Sequence, residues 1–214
     1  MQRASDEIAG YWNAYADAYD AEPDHGLGDP STREAWRALL ERWLPAGPSD
    51  VADLACGTGS LTALVASLGH SVVGIDLADA MVERARAKTE EFSGRVSIRQ
   101  GDVCLPPIEP ASLDVILARH ILWTLPDPQA ALARWCSLLR PGGRLLLVEG
   151  CWWSAGDEDY NDEAGMPWAG GVRAVDLSAT LQPLVQRAEV VPLTDAVLWG
   201  RQIEDERYLL VAGV

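Results

Sequence analysis

Two glycines in a short run of small residues are the strongest chemical signal in this chain. The apolar segment 51–55 is typical of a strand, and Cys56-Gly57-Thr58-Gly59-Ser60 follows it at once. Gly57 and Gly59 permit a positive φ and carry no Cβ, so a ligand can approach the backbone closely. A tight turn here aims backbone N–H groups and a helix N-terminus at that ligand. The pattern therefore predicts a nucleotide-type cofactor site.

Acidic residues on either side of the turn indicate the kind of cofactor. Asp76 ends the apolar run 71–75, about 20 residues beyond the glycines, where a carboxylate is placed to bind ribose hydroxyls. Asp53 precedes the glycines, where a carboxylate repels a pyrophosphate but tolerates a cationic ligand. Dinucleotide-binding turns continue as Gly-x-Gly-x-x-Gly or Ala. This chain has Thr62 at the last position of that pattern, so a dinucleotide is not predicted.

Four motifs in order resemble the class I S-adenosylmethionine-dependent methyltransferases. They are Asp53-Leu-Ala-Cys-Gly-Thr-Gly59, Gly74-Ile-Asp-Leu-Ala-Asp-Ala-Met81, Gly101-Asp-Val103 and Leu138-Leu-Arg-Pro-Gly-Gly-Arg144. The resemblance extends from about residue 10 to the end of the chain. Within that family, the chain is similar to the small-molecule and natural-product enzymes of secondary metabolism, including those that act on quinone precursors. The resemblance implies S-adenosylmethionine as cofactor and S-adenosylhomocysteine as product.

The same resemblance distributes the cofactor among these motifs. It places the methionine part by Asp53 and the two glycines, the ribose on Asp76, and the adenine by Asp102 and Val103. The residues expected to bind the cofactor are Tyr19, Asp53, Ala55, Gly57, Gly59, Asp76, Leu77, Met81, Asp102, Val103 and Arg119.

The methyl acceptor is expected near the end of the fourth strand. That strand delivers Arg119 and His120, and family members address the acceptor from this position. A neutral imidazole can take a proton from a hydroxyl or ammonium group during methylation, or it can simply shape the pocket. The Asn-Pro-Pro-Tyr motif of base-methylating relatives and the aspartate of metal-dependent relatives are both absent from this position. Nucleic-acid bases and a bound metal are therefore not predicted.

Aromatic residues surround the predicted acceptor region. Tyr11, Tyr15 and Tyr19 recur at a spacing of four residues, which places them on one helical face, as a cap or as a core stripe. Tryptophans after the fourth and fifth strands can wall a flat acceptor or pack a lid. Glu149 can bind a polar group of the acceptor or be a paired buried acid. The residues expected to bind the substrate are Tyr11, Tyr15, Trp123, Glu149, Trp152, Trp153 and Trp168.

Alternating strands and helices position these residues as in a doubly wound sheet. Strands are predicted at 51–55, 71–76, 96–100, 113–119, 144–150, 187–193 and 206–212. Helices are predicted at 31–43, 60–68, 79–92, 128–139 and 174–184, with Asp79 as an N-cap. The expected fold is α/β, a Rossmann-like doubly wound seven-stranded sheet. By resemblance, the last strand of the sheet is antiparallel, and an N-terminal helical cap precedes the sheet.

One methyltransferase domain is expected over residues 1–214. Its predicted parts are a helical cap at 1–47, a cofactor-binding core at 48–150, a lid loop at 151–174, and a C-terminal helix with strands at 175–214. Within these parts, segment 22–30 is expected to be a loop because of its prolines and glycines. Segment 154–171 is acidic and rich in glycine, which suits a mobile lid or a plain solvated loop.

Composition narrows the class of protein further. A length of 214 residues with 48% hydrophobic content suits one globular domain. The absence of a long apolar run and of a signal-peptide core predicts a cytoplasmic location. The net charge of −15 argues against nucleic acid and against an acidic membrane as partner. The four scattered cysteines predict reduced thiols. A small-molecule acceptor is the expected partner of a monomer or homodimer.

The sequence therefore predicts methyl transfer to an oxygen or nitrogen of a small, largely apolar or aromatic metabolite, with His120 as the candidate catalytic base. Alignment of the acceptor with the methyl group and sulfur is expected to supply most of the catalysis. Carbon methylation of a quinone-like precursor is an alternative within the class. The sequence also leaves open an aminopropyl transferase or cyclase that uses the same cofactor, and a non-catalytic cofactor-binding protein.

Overall fold

The computed structural model of the protein describes residues 2–151 and 166–214. The helices are α1 (Gln2–Tyr19), α2 (Pro23–Gly26), α3 (Pro30–Trp43), α4 (Ser60–Ser67), α5 (Asp79–Lys88), α6 (Pro128–Leu138), α7 (Ala174–Leu181) and α8 (Ala196–Trp199). The strands are β1 (Asp50–Leu54), β2 (Ser71–Asp76), β3 (Val96–Gln100), β4 (Leu113–Arg119), β5 (Leu139–Cys151), β6 (Arg187–Pro192) and β7 (Glu206–Gly213). Short 3₁₀ turns lie at Glu90–Phe92 and Leu122–Thr124.

The seven strands form one mixed sheet in the order β3-β2-β1-β4-β5-β7-β6. β2 runs parallel to β1 and β3, and β4 runs parallel to β5. β7 is antiparallel to both β5 and β6. This arrangement confirms the predicted α/β sheet with an antiparallel last strand and helices at the N-terminus.

The chain divides into two compact units. The first unit contains Met1–Val103 and Asp195–Ile203, and the second contains Cys104–Thr194 and Glu204–Val214. The first unit therefore holds the glycine turn, and the second holds the end of β4 with His120.

In the first unit, α1 packs against the start of α5. Ala16, Ala78 and Met81 form a buried cluster between the two helices, and the rings of Trp12 and Tyr19 cover it. The apolar face of α1 is thus used for packing, as the four-residue spacing of its aromatic residues predicts. This packing holds α1 beside the elements that carry the glycine turn.

In the second unit, β5 is the central strand, with β4 on one side and β7 on the other. Its apolar residues 145–148 are fully buried. β6 is exposed along almost its whole length and pairs with β7. The pairing of β4 with β5 ends at Arg119 and Val148. The last residue of β4 therefore lies beside Val148, one residue before Glu149.

Some local predictions are wrong, and each has a physical reason. The segment predicted as a loop contains α2, because Pro23 supplies helical φ at the first position. Asp79 is already the first helical residue of α5, and Ala78 occupies the N-cap position. β5 begins at residue 139 rather than 144, since Leu139 already pairs with Leu113 of β4.

No helix in residues 2–151 and 166–214 combines the length and the apolar character that crossing a lipid bilayer requires.

Candidate active site

The glycine turn joins β1 to α4 through residues with left-handed backbone. Ala55, Gly57 and Gly59 have φ values of 60°, 54° and 83°. A Cβ at Gly57 would lie 3.3 Å from the ring of Tyr19, and one at Gly59 would lie 3.0 Å from the backbone of Ala85. The positive φ favours glycine at both positions, and at Gly59 the backbone of Ala85 leaves little room for a Cβ. Both glycines are buried.

Asp76, at the end of β2, holds this turn from the neighbouring strand. Its Oδ2 accepts the N–H of Gly57 at 2.8 Å, and its Oδ1 accepts the N–H of Ala78 at 2.9 Å. Burial raises the pKa of Asp76, while these backbone hydrogen bonds act in the opposite direction. The side chain retains 8% exposure. Each carboxylate oxygen has a second lone pair, so hydroxyl groups of a ribose can still be accepted.

Asp53, near the end of β1, is buried in front of the glycines. The hydroxyl of Thr62 donates to its Oδ2 at 2.5 Å. Thr62 stands at the position where a dinucleotide-binding turn has glycine or alanine. Its hydroxyl orients the carboxylate that the sequence associates with a cationic ligand, which accounts for a threonine at this point.

A hydrogen-bond network that the sequence did not predict ties α1 and α5 to the glycine turn. Nζ of Lys88 lies 2.8 Å from Oδ2 of Asp20, 2.9 Å from Oγ1 of Thr58 and 2.7 Å from Oγ of Ser60. Thr58 also donates to Oδ1 of Asp20 at 2.5 Å. The hydroxyl residues of the turn, Thr58 and Ser60, are a local sequence signal for such a network. Asp20 and Lys88, their charged partners, lie far away in sequence, so no local pattern indicates them.

The aromatic face of α1 lies beside the same turn. The rings of Tyr11 and Tyr15 stack with centroids 6.3 Å apart, and Tyr15 and Tyr19 meet edge-to-face at 6.1 Å. The three phenols therefore share one face of the helix, as predicted. Tyr19 also stacks on His25 at 4.3 Å and covers Gly57, whereas Tyr11 is exposed. Tyr19 is thus the tyrosine that the structure places at the glycine turn.

The other predicted cofactor residues of the first unit differ in burial. Met81 and Val103 are buried, Ala55 and Leu77 are half-buried, and Asp102 is exposed. Nε2 of Gln100 donates to the carbonyl of Leu77 at 3.2 Å. Ala55, Leu77 and Asp102 follow the ends of β1, β2 and β3, whereas Met81 lies in the first turn of α5.

In the second unit, Arg119 ends β4 and His120 begins the turn that follows, and both are half-buried. His120 has a φ of 56°, a left-handed conformation that residues with a side chain rarely adopt. Its N–H donates to the carbonyl of Val148 at 2.9 Å, and its carbonyl accepts the indole N–H of Trp123 at 2.7 Å. The backbone of the candidate base is therefore held by hydrogen bonds on both sides.

Glu149, at the end of β5, is fully buried beneath this turn. Its Oε1 accepts the N–H groups of Ile121 at 3.0 Å and Leu122 at 3.1 Å. Its Oε2 has no hydrogen-bond partner among the residues that the structure describes. Burial raises the pKa of Glu149 to about 8. The geometry therefore ties this acid to the backbone of the turn.

The predicted substrate-binding tryptophans are not all placed by the structure. Trp123 is 6% exposed and donates its indole N–H within the β4 turn, and Trp168 is half-buried. Trp152 and Trp153 lie outside the described residues. Most of the predicted lid at 154–171 also lies outside them.

Cys56 lies inside the glycine turn, with its thiol packed against β2. A Cβ at Gly74 would lie 3.1 Å from that sulfur and 2.7 Å from the side chain of Ile98. The absence of a side chain at Gly74 therefore makes room for Cys56. No disulfide joins the four cysteines, all of which lie within the described residues.

Comparisons with known proteins agree with this geometry. A family described as a methyltransferase domain matches residues 52–147. Nocamycin O-methyltransferase of Saccharothrix syringae is 36% identical over 58% of this chain and 47% of its own length. Ubiquinone biosynthesis O-methyltransferase of Xanthomonas axonopodis pv. citri is 36% identical over 68% of this chain and 60% of its own length. The alignments thus span about half of these relatives.

The fold is also that of solved methyltransferases. The crystal structure of a SAM-dependent methyltransferase from Aquifex aeolicus matches with a TM-score of 0.67 at 18% identity. The match covers 89% of this chain and 96% of that one. Residues 52–147 therefore match a methyltransferase domain, and the chain has the fold of the solved S-adenosylmethionine-dependent methyltransferases.

Proposed function

We propose that this protein transfers the sulfonium methyl group of S-adenosylmethionine to an oxygen or nitrogen of a small, largely apolar or aromatic metabolite. The observation that carries the proposal is the hydrogen bond from the N–H of Gly57, in the glycine turn, to Asp76 at the end of the neighbouring strand. The names of two relatives, both O-methyltransferases, favour oxygen as the accepting atom.

The residues of the first unit fit this cofactor chemically. Gly57 and Gly59 give the turn its left-handed backbone, and Asp76 retains lone pairs for ribose hydroxyls. The buried carboxylate of Asp53 favours a positively charged ligand nearby. The ring of Tyr19, beside Gly57, can add a cation–π contact to a sulfonium. When bound, the cofactor supplies a methyl group that is already activated on sulfur.

His120 is the proposed base on the acceptor side. Its position at the end of β4 supports the role, because ligands of α/β sheets bind beyond the carboxyl ends of the strands. A neutral imidazole would take the proton that a phenol or ammonium group loses on methylation. Arg119 directly precedes His120, and Trp123 follows it three residues later. The proposed acceptor is a small molecule rather than a nucleic acid. A cytoplasmic location stays a prediction.

Cofactor identity is tested by calorimetric titration of the purified protein with S-adenosylmethionine, S-adenosylhomocysteine and, separately, NAD. We expect saturable binding of the first two alone, lost in Asp76→Ala. Asp79→Ala removes an exposed carboxylate three residues away and is the matched control. Binding of NAD, or of none of the three, would overturn the proposal.

Acceptor chemistry is tested with methyl-labelled cofactor and a panel of catechol, 4-hydroxybenzoate and tyramine. We expect label in at least one phenol or amine, with NMR of the product assigning the methyl to oxygen or nitrogen. Attachment to ring carbon would favour the carbon-methylation alternative. Cofactor binding without transfer to any acceptor in a wider phenol and amine screen would favour a non-catalytic cofactor-binding protein.

A further inference from the structure

The turn after β4 contains a backbone conformation that must be held in place. His120 has a φ of 56° although it is not glycine. Such a residue is unfavourable and persists only where surrounding contacts determine its conformation. Strained residues of this kind cluster at functional sites, and this one is the candidate base. The contacts that hold it are therefore part of how the base is oriented.

Glu149 supplies two of these contacts. Its Oε1 accepts the N–H groups of the two residues that follow His120, at 3.0 Å and 3.1 Å. The N–H of His120 itself donates to Val148, the residue before Glu149. The end of β5 thus holds the turn immediately before and immediately after the strained backbone.

Glu149 is not placed to contact a substrate directly. Its side chain is fully buried, and both oxygens point into the protein. Because burial raises the pKa of Glu149 to about 8, the carboxyl group is mostly protonated at neutral pH. Tyr208, its register partner on β7, is a titratable neighbour, while Arg119 ends β4 beside Val148 and His120 follows it. The hydroxyl of Tyr208 donates to the carbonyl of Val172.

We propose that Glu149 is a positioning residue: it fixes the turn after β4 and thereby sets the direction in which His120 presents its imidazole. The catalytic meaning of this role rests on the proposed function of His120. The geometric role does not, so the two can be tested separately.

The test uses the imidazole NMR signals of the whole protein, which contains only three histidines. Signals are recorded for the wild type, Glu149→Gln, Glu149→Ala and Tyr208→Phe, and His120→Asn identifies the signal of His120. A glutamine retains a carbonyl oxygen that can accept both N–H groups. Tyr208→Phe is the matched control, since it removes a buried hydroxyl from the neighbouring strand without touching the turn.

We expect Glu149→Ala to shift or broaden the His120 signal, with His25 and His70 unchanged. Glu149→Gln and Tyr208→Phe should leave the His120 signal in place. The proposal is overturned if Glu149→Ala leaves His120 unmoved, or if Glu149→Gln displaces it as strongly as alanine does.

If Glu149→Ala does not fold, amide hydrogen exchange in the wild type and in Glu149→Gln tests whether Glu149 holds the turn. We expect the N–H groups of Ile121 and Leu122 to exchange at least about 100-fold more slowly than in an unfolded chain. Exchange at the unfolded rate in both proteins would overturn the proposal. S-adenosylhomocysteine titration is run in parallel, so that failure of cofactor binding is recorded separately from the response of His120.

Discussion

The turn after β1 and the turn after β4 are built on the same plan. In each, an acid at the end of the neighbouring parallel strand accepts backbone N–H groups from the turn. Asp76 holds the first turn through Gly57, and Glu149 holds the second through Ile121 and Leu122. Burial raises the pKa of both acids. Each turn also contains left-handed backbone.

The two turns differ in what they leave accessible. In the first turn the left-handed residues include two buried glycines, and the acid retains 8% exposure. The second places left-handed backbone at His120, and its acid is fully buried. We therefore expect Asp76 to contact a ligand and Glu149 to hold the turn that carries His120.

The largest expected effect is the difference between the alanine variants of Glu149 and Asp76. Glu149→Ala should lower the free energy of unfolding by about 3 kcal/mol, because it leaves a cavity and two unpaired N–H groups. Its affinity for S-adenosylhomocysteine should stay within about twofold of the wild type, a change of less than about 1 kcal/mol. Asp76→Ala should instead reduce that affinity at least about 100-fold, through lost charge-assisted hydrogen bonds. Urea unfolding and calorimetry measure the two effects.

If both variants lost cofactor affinity equally while remaining folded, the two acids would not have separate purposes.

Gly57→Ala tests whether the first turn needs glycine at this position. Alanine at a φ of 54° is strained, and its Cβ would approach the ring of Tyr19. We expect a loss of about 1–2 kcal/mol in unfolding free energy, with cofactor affinity about tenfold lower. Gly94→Ala is the matched control, since nothing lies within 4 Å of a Cβ there. Equal behaviour of the two variants in calorimetry would contradict the requirement for glycine.

The pH dependence of stability tests the buried acid of the second turn. Between the pKa of an unfolded glutamate, about 4.3, and about 8 in the folded protein, the native state keeps a proton that the unfolded state has lost. Stability therefore falls as pH rises through this window, by up to about 1.4 kcal/mol per pH unit, and levels off above it. Glu149→Gln should remove that slope while the contribution of Asp76 remains in both proteins.

Urea titrations of both proteins at several pH values between about 5 and 9 measure this difference. Parallel curves for the wild type and Glu149→Gln would show that Glu149 is ionised in the folded protein.

The smallest expected effect concerns the network at Lys88. Lys88→Met should lower the unfolding free energy by about 0.5–1 kcal/mol, because its ion pair with Asp20 is partly exposed. Added salt should reduce the difference from the wild type. Arg37→Met breaks exposed ion pairs within α3 and serves as the control. A cofactor affinity that fell more than for Asp76→Ala would assign Lys88 a direct role in binding.

The contrast between the turns also explains how much the sequence could predict. Gly57, Gly59 and Asp76 were recognisable because glycine spacing and an acid at a strand end are local signals. The alternation of strands and helices likewise predicted the seven strands of the sheet. The hydrogen bonds of Glu149 join residues 27 and 28 positions apart, and backbone N–H groups have no sequence signature. Lys88 and Asp20 are 68 positions apart, and only the packing of α1 on α5 brings them together.

The thiol of Cys56 has a consequence for redox chemistry. It lies in the glycine turn and fills the space left by Gly74. Burial raises the pKa of this thiol well above its usual value, and the carboxylates of Asp53 and Asp76 add to that effect. Oxidants and alkylating reagents attack the thiolate, which is therefore scarce at this position. The turn thus carries a cysteine that resists oxidation and alkylation as long as the protein stays folded.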